Sequence, residues 1–256
     1  MTSSDDILSW AAPKADVRVT YGSDGNQFVD LRFPKGKGPH PLAICIHGGY
    51  WRAQYDLEYM GHLCVALRAK GVATANVEYR RVGNVGGGWP GTFGDIRAAH
   101  QMLTQGARQC GFDAQRVVVL GHSAGGQLAL CLAAHETGIK AVISLAGVVD
   151  LQRAYELHLS NDAVVEFLGG TPAAVADHYR EADPMRLAIH TRQWLVHGAA
   201  DGMVPPAFSK DYVKAKMKED VHLVAIAGAG HFEVVDPRSG AWAEVEKVVV
   251  DSVGKA

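Results

Sequence analysis

The run Val117-Val118-Val119-Leu120-Gly121-His122-Ser123-Ala124-Gly125-Gly126 constrains this chain more than any other stretch. Four apolar residues lead into G-x-S-x-G, and Gln127-Leu128-Ala129-Leu130-Cys131-Leu132-Ala133-Ala134 continues with helix formers. The order is buried strand, sharp turn, helix, which is what a nucleophile elbow requires. A serine at the apex of such a turn sits in strained backbone. The positions two before and two after it must therefore be small, and Gly121 and Gly125 are. The turn holds the Ser123 hydroxyl clear of the chain and aims the Ala124 N–H at the place where an oxyanion would form.

Around this elbow, short apolar runs alternate with helical periodicity. Segments 16–21 and 27–33 alternate in the strand manner across the turn 22–26 and predict an antiparallel hairpin. Segments 42–46, 72–77, 116–120, 139–146, 193–196 and 221–226 predict further strands, several of them unbroken apolar runs that need cover on both faces. Helices are expected at 4–10, 57–70, 93–109, 124–136, 205–218 and 241–253, with Gly71 ending the second of these. Two more are expected in the segment 147–190, over 151–168 (interrupted near Ser160-Asn161) and 172–180. The fold class is α/β: one domain over residues 1–256, a mostly parallel doubly wound sheet with an N-terminal antiparallel hairpin, and a small helical insertion after the sixth strand.

In such a sheet, chemistry belongs in loops at the carboxyl ends of the strands. Loop 47–56 opens His47-Gly48-Gly49-Tyr50-Trp51, where consecutive glycines let backbone N–H groups turn inward. The expected oxyanion donors are Gly49, Tyr50 and Ala124, with Gly48 an alternative. Asp201 lies in loop 198–206 and His231 in loop 227–238. A serine hydroxyl is a poor nucleophile at its own pKa. It needs an imidazole base, and the imidazole needs a carboxylate to fix its tautomer. Ser123, Asp201 and His231 supply these in an order this architecture uses. Trp51, Trp89 and Phe232 are candidates to line an apolar acyl or aryl pocket. Asp150 is the rival acid but reads as a helix cap, and His190 is a weak rival base. His47 reads as ordering its own turn, His122 as packed or hydrogen-bonded, and His197 as bonding backbone near Asp201. Arg80 and Arg81 read as internal ion pairs with Glu78 or Asp95.

Composition narrows the class. The formal net charge is −2 with no basic stripe, which argues against nucleic acid or an anionic membrane as partner. No apolar run reaches the length of a membrane span, and the polar, acidic opening Met1-Thr2-Ser3-Ser4-Asp5-Asp6 lacks the pattern of a signal peptide. Cys45, Cys64, Cys110 and Cys131 lack C-x-x-C spacing and no His/Cys cluster accompanies them. They read as reduced thiols of a cytoplasmic protein, with no metal site. The chemistry inferred from Ser123, Asp201 and His231 calls for no cofactor.

Ser123 in Gly-His-Ser-Ala-Gly-Gly, Asp201 in His-Gly-Ala-Ala-Asp-Gly-Met-Val-Pro and His231 in Gly-Ala-Gly-His-Phe resemble an α/β-hydrolase, from about Leu42 to the C-terminus. The His-Gly-Gly-Tyr-Trp segment resembles the hormone-sensitive-lipase-like esterase branch, whose members usually carry His-Gly-Gly-Gly. The form with tryptophan fifth is similar to that of kynurenine formamidases (arylformamidases). Tyr50 departs from the third glycine. Only about forty residues precede the Leu42 strand, too few for that branch's usual N-terminal cap, so cover over the site is expected from 147–190. The resemblance implies a serine hydrolase whose partner is a small-molecule ester or amide: a short-chain carboxylesterase, or alternatively an arylformamidase. A peptidase and a non-catalytic receptor on the same fold are further readings.

Overall fold

Leu42 to Ile46 and Val117 to Leu120 do not alternate in polarity because both faces of these strands are covered; all of these residues are buried. The computed structural model describes residues 4–107 and 109–254. Eight strands form one sheet: β1 (Val17–Thr20), β2 (Phe28–Arg32), β3 (His40–Ile46), β4 (Ala73–Val77), β5 (Phe112–His122), β6 (Ala141–Leu145), β7 (Arg192–Gly198) and β8 (Val221–Ile226). Their spatial order is β1-β2-β4-β3-β5-β6-β7-β8. The β1–β2 hairpin is antiparallel, and β2 joins the rest by pairing antiparallel with β4, Val29 opposite Val77. From β4 to β8 every pairing is parallel.

Parallel strands need crossovers, and these lay helices on both faces. On one face α1 (Met60–Ala69) and α8 (Trp242–Val253) cover Ala43, Cys45, Val118 and Leu120. On the other, α2 (Gly91–Gln105), α3 (Ala124–His135) and α7 (Ala207–Ala215) cover Leu42, Ile44, Ile46, Val117 and Val119. The insertion between β6 and β7 carries α4 (Leu151–Glu156), α5 (Ala163–Leu168) and α6 (Ala176–Ala182). The predicted helix over 151–168 is thus two short ones. Between them His158, Ser160, Asn161 and Asp162 all take positive φ.

Two expected boundaries move for visible reasons. The elbow strand begins at Phe112 rather than Arg116, because a register shift between His40 and Leu42 lets Phe112 pair with His40. α1 begins at Met60 rather than Leu57, because the turn before it closes three residues apart, the Met60 N–H on the Leu57 carbonyl at 3.1 Å and the Gly61 N–H on that of Glu58 at 2.9 Å; Leu57 is also held from β4 and the residue after it. Its N–H donates to Glu78 Oε2 at 3.3 Å and its carbonyl accepts from Asn76 Nδ2 at 2.9 Å.

At the elbow the start of α3 lies hard against the end of β3. A Cβ on Gly125 would lie 2.2 Å from the Ile46 carbonyl oxygen and 2.4 Å from that of His47, both rigid backbone. Gly125→Ala is therefore expected to destabilise the fold by about 3 kcal/mol or more, read by denaturant unfolding. A change below about 1 kcal/mol would mean that the elbow can slide away from β3.

Candidate active site

Four loops at the carboxyl edge, following β3, β5, β7 and β8, bring the predicted residues together. Ser123 stands between β5 and α3 with φ +55° and ψ −119°, the strained geometry the flanking glycines permit. Its N–H donates to the Leu145 carbonyl at 2.8 Å, tying the elbow to β6. His231, after β8, sends Nδ1 to Asp201 Oδ2 at 2.7 Å, and both residues are buried. Asp201 Oδ1 accepts the N–H groups of Met203 and Val204 at 2.8 and 2.9 Å. His197 Nε2 lies 3.2 Å from Asp201 Oδ2 and 3.0 Å from the Val204 carbonyl. Burial alone would raise the Asp201 carboxyl; the bonds from His197, His231 and Val204 N–H outweigh it and hold the group far below the usual carboxylate range.

Ser123 and His231 share the wall of a cavity of about 200 Å³. Ser123 Oγ and His231 Nε2 make no hydrogen bond to each other among the described residues, and such bonds often tighten only when substrate is bound. Tyr50, Tyr55, Tyr59, Phe232, Met203 and Leu8 supply most of the remaining wall, with Gly49, His122 and Ser160. No lysine or arginine lines it among the described residues.

The loop after β3 makes a sharp turn with Gly49 at φ +102°, Tyr50 at +48° and Trp51 at +58°. Tyr50 thus takes the left-handed backbone that a glycine would otherwise supply. Trp51 holds the turn in place: it is buried, donates Nε1 to Gln127 Oε1 at 3.0 Å, and stacks on Phe167 at 4.4 Å. The Tyr50 hydroxyl reaches across to the Met203 carbonyl at 3.3 Å, and burial pushes its pKa up to about 12. The Gly48 N–H is already committed, donating to the Tyr59 hydroxyl at 2.7 Å. The N–H groups of Gly49, Tyr50 and Ala124 have no protein acceptor among the described residues.

His122, the variable residue of the motif, links three elements. Its Nε2–H donates to the His231 carbonyl at 3.0 Å, so Nδ1 accepts from the Tyr59 hydroxyl at 2.8 Å. Burial and the neighbouring His231 keep His122 neutral, well below the usual imidazole range. Tyr59→Phe would strand both the Gly48 N–H and His122 Nδ1. A loss of about 2 kcal/mol in unfolding free energy is expected, with lower turnover; unchanged stability would show that this relay carries no weight.

Several expectations are corrected. Trp51 and Trp89 do not line the cavity. Both pack against Phe167 of the insertion, Trp89 at 6.1 Å and also stacked on Phe93 at 5.2 Å, so their rings fasten α5 to the body. Phe232 does line it. Cover does not come from 147–190 alone: that segment contributes Ser160, while Leu8 arrives from the N-terminal 3-10 turn Ser4–Ser9, whose Ile7 is buried under α1. Arg52 ties Ser160 down through its side-chain oxygen at 3.0 Å and its carbonyl at 2.8 Å. Asp150 caps α4 by accepting the Arg153 N–H at 2.9 Å. His190 borders a separate surface groove of about 570 Å³ near the amino ends of β6 and β7. Arg80 pairs with Asp95 at 2.7 Å and Arg81 with Glu78 at 3.1 Å. Tyr55, Tyr59, Met203, Ser160 and Leu8 were not singled out from the sequence. Only their position after β3 or β7, for the first three, could have flagged them.

The sheet order and the strand-turn-helix elbow are those of the α/β-hydrolase fold. Within that class, the family model described as BD-FAE matches residues 29–216, and the chain belongs to the BD-FAE family. It is 25% identical over 269 residues to Esterase LipC of Mycobacterium tuberculosis, covering 93% of this chain and 65% of that protein. It is 28% identical over 187 residues to the versiconal hemiacetal acetate esterase of Dothistroma septosporum, covering 66% of this chain and 56% of that protein. The chain therefore spans under two thirds of the length of these relatives. Esterase B from Lactobacillus Rhamnosis (HN001) has the same fold, with a TM-score of 0.80 at 18% identity, covering 98% of this chain and 89% of the other. No described helix is long and apolar enough to cross a membrane.

Proposed function

We propose that the chain is a serine hydrolase of small, uncharged carboxylic esters. The observation that carries this reading is the buried His231–Asp201 pair at 2.7 Å, opening on the same small cavity as Ser123 at its strained turn. Ser123 Oγ attacks the ester carbonyl while His231 Nε2 takes its proton. Asp201 holds the ring with Nδ1 protonated and balances the charge it acquires. The N–H groups of Gly49, Tyr50 and Ala124 receive the oxyanion, the first two in the turn just after β3 and the third at the start of α3. The tetrahedral intermediate expels the alcohol, to which His231 returns the proton. Water, deprotonated by the same ring, then releases the acid from the acyl-enzyme. Every step uses protein groups and water.

The cavity's small volume and uncharged wall support short acyl chains and neutral esters. The two curated relatives are both named esterases, one for an acetate ester. The four cysteines are unpaired thiols, three of them buried, which supports a cytoplasmic setting.

The test is a rate profile on acetyl, butyryl and octanoyl aryl esters with N-formylkynurenine beside them. kcat/KM is expected to be highest for the short esters and to fall roughly tenfold or more at octanoyl. A tenfold preference for the formamide would replace ester hydrolysis with the arylformamidase reaction. Intact mass after a fluorophosphonate probe should show one adduct, on Ser123. No adduct would favour a receptor without catalysis.

A further inference from the structure

The insertion between β6 and β7 carries a strained stretch that the reaction steps above do not use. Ser160, Asn161 and Asp162 take φ of +50°, +54° and +59° in succession. L-residues enter the left-handed region singly, and asparagine and aspartate tolerate it better than serine does. A run of three, opened by a serine, persists only where the surroundings fix it.

Arg52 fixes this one. Its Nε donates to Glu166 Oε2 at 2.8 Å, Nη1 to Ser160 Oγ at 3.0 Å, and Nη2 to the carbonyls of Ser160 and Asn161 at 2.8 and 3.3 Å. The backbone of the same residue closes the turn that carries Gly49 and Tyr50. Its N–H donates to the Gly49 carbonyl at 3.0 Å, and it forms a β-bridge with Val82. One residue thus sets Ser160 in register with the oxyanion turn, at the wall of the cavity that holds Ser123.

A guanidinium only donates, so Ser160 Oγ accepts from Arg52, and its own O–H has no protein acceptor among the described residues. A cationic donor on Oγ also strengthens that O–H as a donor. The other hydroxyls and imidazoles of the wall are engaged. Tyr50 donates to the Met203 carbonyl, Tyr59 to His122 and His122 to the His231 carbonyl, while Ser123 and His231 carry the reaction. Tyr55 is the exception, and it is 39% exposed.

We infer that Ser160 is a specificity-determining residue, whose hydroxyl donates to an oxygen on the part of the ester that does not react. The substrate class it selects is a short ester carrying a second oxygen, as ether, hydroxyl or carbonyl, in its acyl or its alcohol part. With no lysine or arginine on the wall among the described residues, that acceptor is uncharged. A hydrocarbon in the same place would cover the O–H without giving it an acceptor, which weakens binding.

This inference rests on the serine-hydrolase reading. Its test compares matched esters that differ only by an oxygen in place of a methylene: phenyl methoxyacetate against phenyl butyrate for the acyl part, and 2-methoxyethyl butyrate against butyl butyrate for the alcohol part. Ser160→Ala and Ser160→Gly both remove the hydroxyl. Glycine adopts a φ of +50° without strain and keeps the carbonyl that Arg52 holds. The ratio of kcat/KM for the oxygen-bearing ester to that for its hydrocarbon match is expected to fall about fivefold to tenfold in both variants, on at least one arm. The arm that responds names the part of the ester that Ser160 reads. Taking the ratio to its wild-type value cancels the intrinsic reactivity of each ester and any general loss from a shifted turn. Ratios equal to wild type on both arms overturn the proposal, as does a ratio that moves with Tyr55→Phe instead. Turnover with unmoved ratios leaves the hydrolase reading standing; if the wild type hydrolyses none of these esters, that reading falls and the inference falls with it.

Discussion

Ser123→Ala is expected to lower kcat for a short-chain aryl ester by roughly 10⁴-fold or more, because the covalent route disappears and only binding and the oxyanion donors remain. The fold should not notice the change. The structural work at this position is done by backbone: the N–H bonds Leu145, and the carbonyl accepts from Gly126 and Val148 at 2.9 and 3.2 Å. Alanine keeps all three, and the positive φ costs it about what it costs serine. Unfolding free energy should stay within about 1 kcal/mol of wild type. Retained turnover would mean that another group attacks the carbonyl. Loss of cooperative melting would mean that the hydroxyl is part of the packing, and the elbow would lose its functional meaning.

The parts of this site that could be read from sequence share one property: their cause is local. An apolar run ending in Gly-His-Ser-Ala-Gly needs nothing distant to become an elbow. Asp201 and His231 stand out because each follows a strand-forming segment within a few residues, and a parallel sheet puts such positions on one edge. What escaped depends on packing between distant segments. The chain neighbours of Trp51 point it to the site, but the direction of its ring is set by Phe167 and Gln127. Leu8 reaches the cavity because Ile7 is buried under α1, more than fifty residues further along the chain. Tyr59 lies in a stretch whose periodicity reads as continuous helix, while contacts of Leu57 with Asn76 and Glu78, from β4 and just after it, hold that stretch where its periodicity cannot show. The tyrosine in place of a third glycine could not be interpreted either. Its positive φ is stabilised by a neighbour's burial, which no local propensity records.

Asp201→Asn is expected to be nearly as damaging to turnover as the loss of the serine, for a reason set by the two ends of the carboxylate. The N–H groups of Met203 and Val204 both point at Oδ1, so the amide oxygen of asparagine must take that position. Its NH₂ is then left where Oδ2 stood, facing His231 Nδ1. A donor there selects the tautomer with its proton on Nε2, which cannot accept one from Ser123, and kcat should fall by roughly 10⁴-fold. Acid stability supplies an independent reading of the same contacts. The Asp201 carboxyl is held below its ordinary range, so the stability it contributes is complete above the unfolded-state value of about 4 and is lost as pH falls through the lower folded-state value. The variant should therefore be less stable than wild type at neutral pH and lose less stability on acidification below about pH 4. Urea unfolding of both proteins across that interval measures it. Parallel acid limbs would mean that Asp201 is not ionised against His197 and His231, and the tautomer assigned to His231 would have to be abandoned with it.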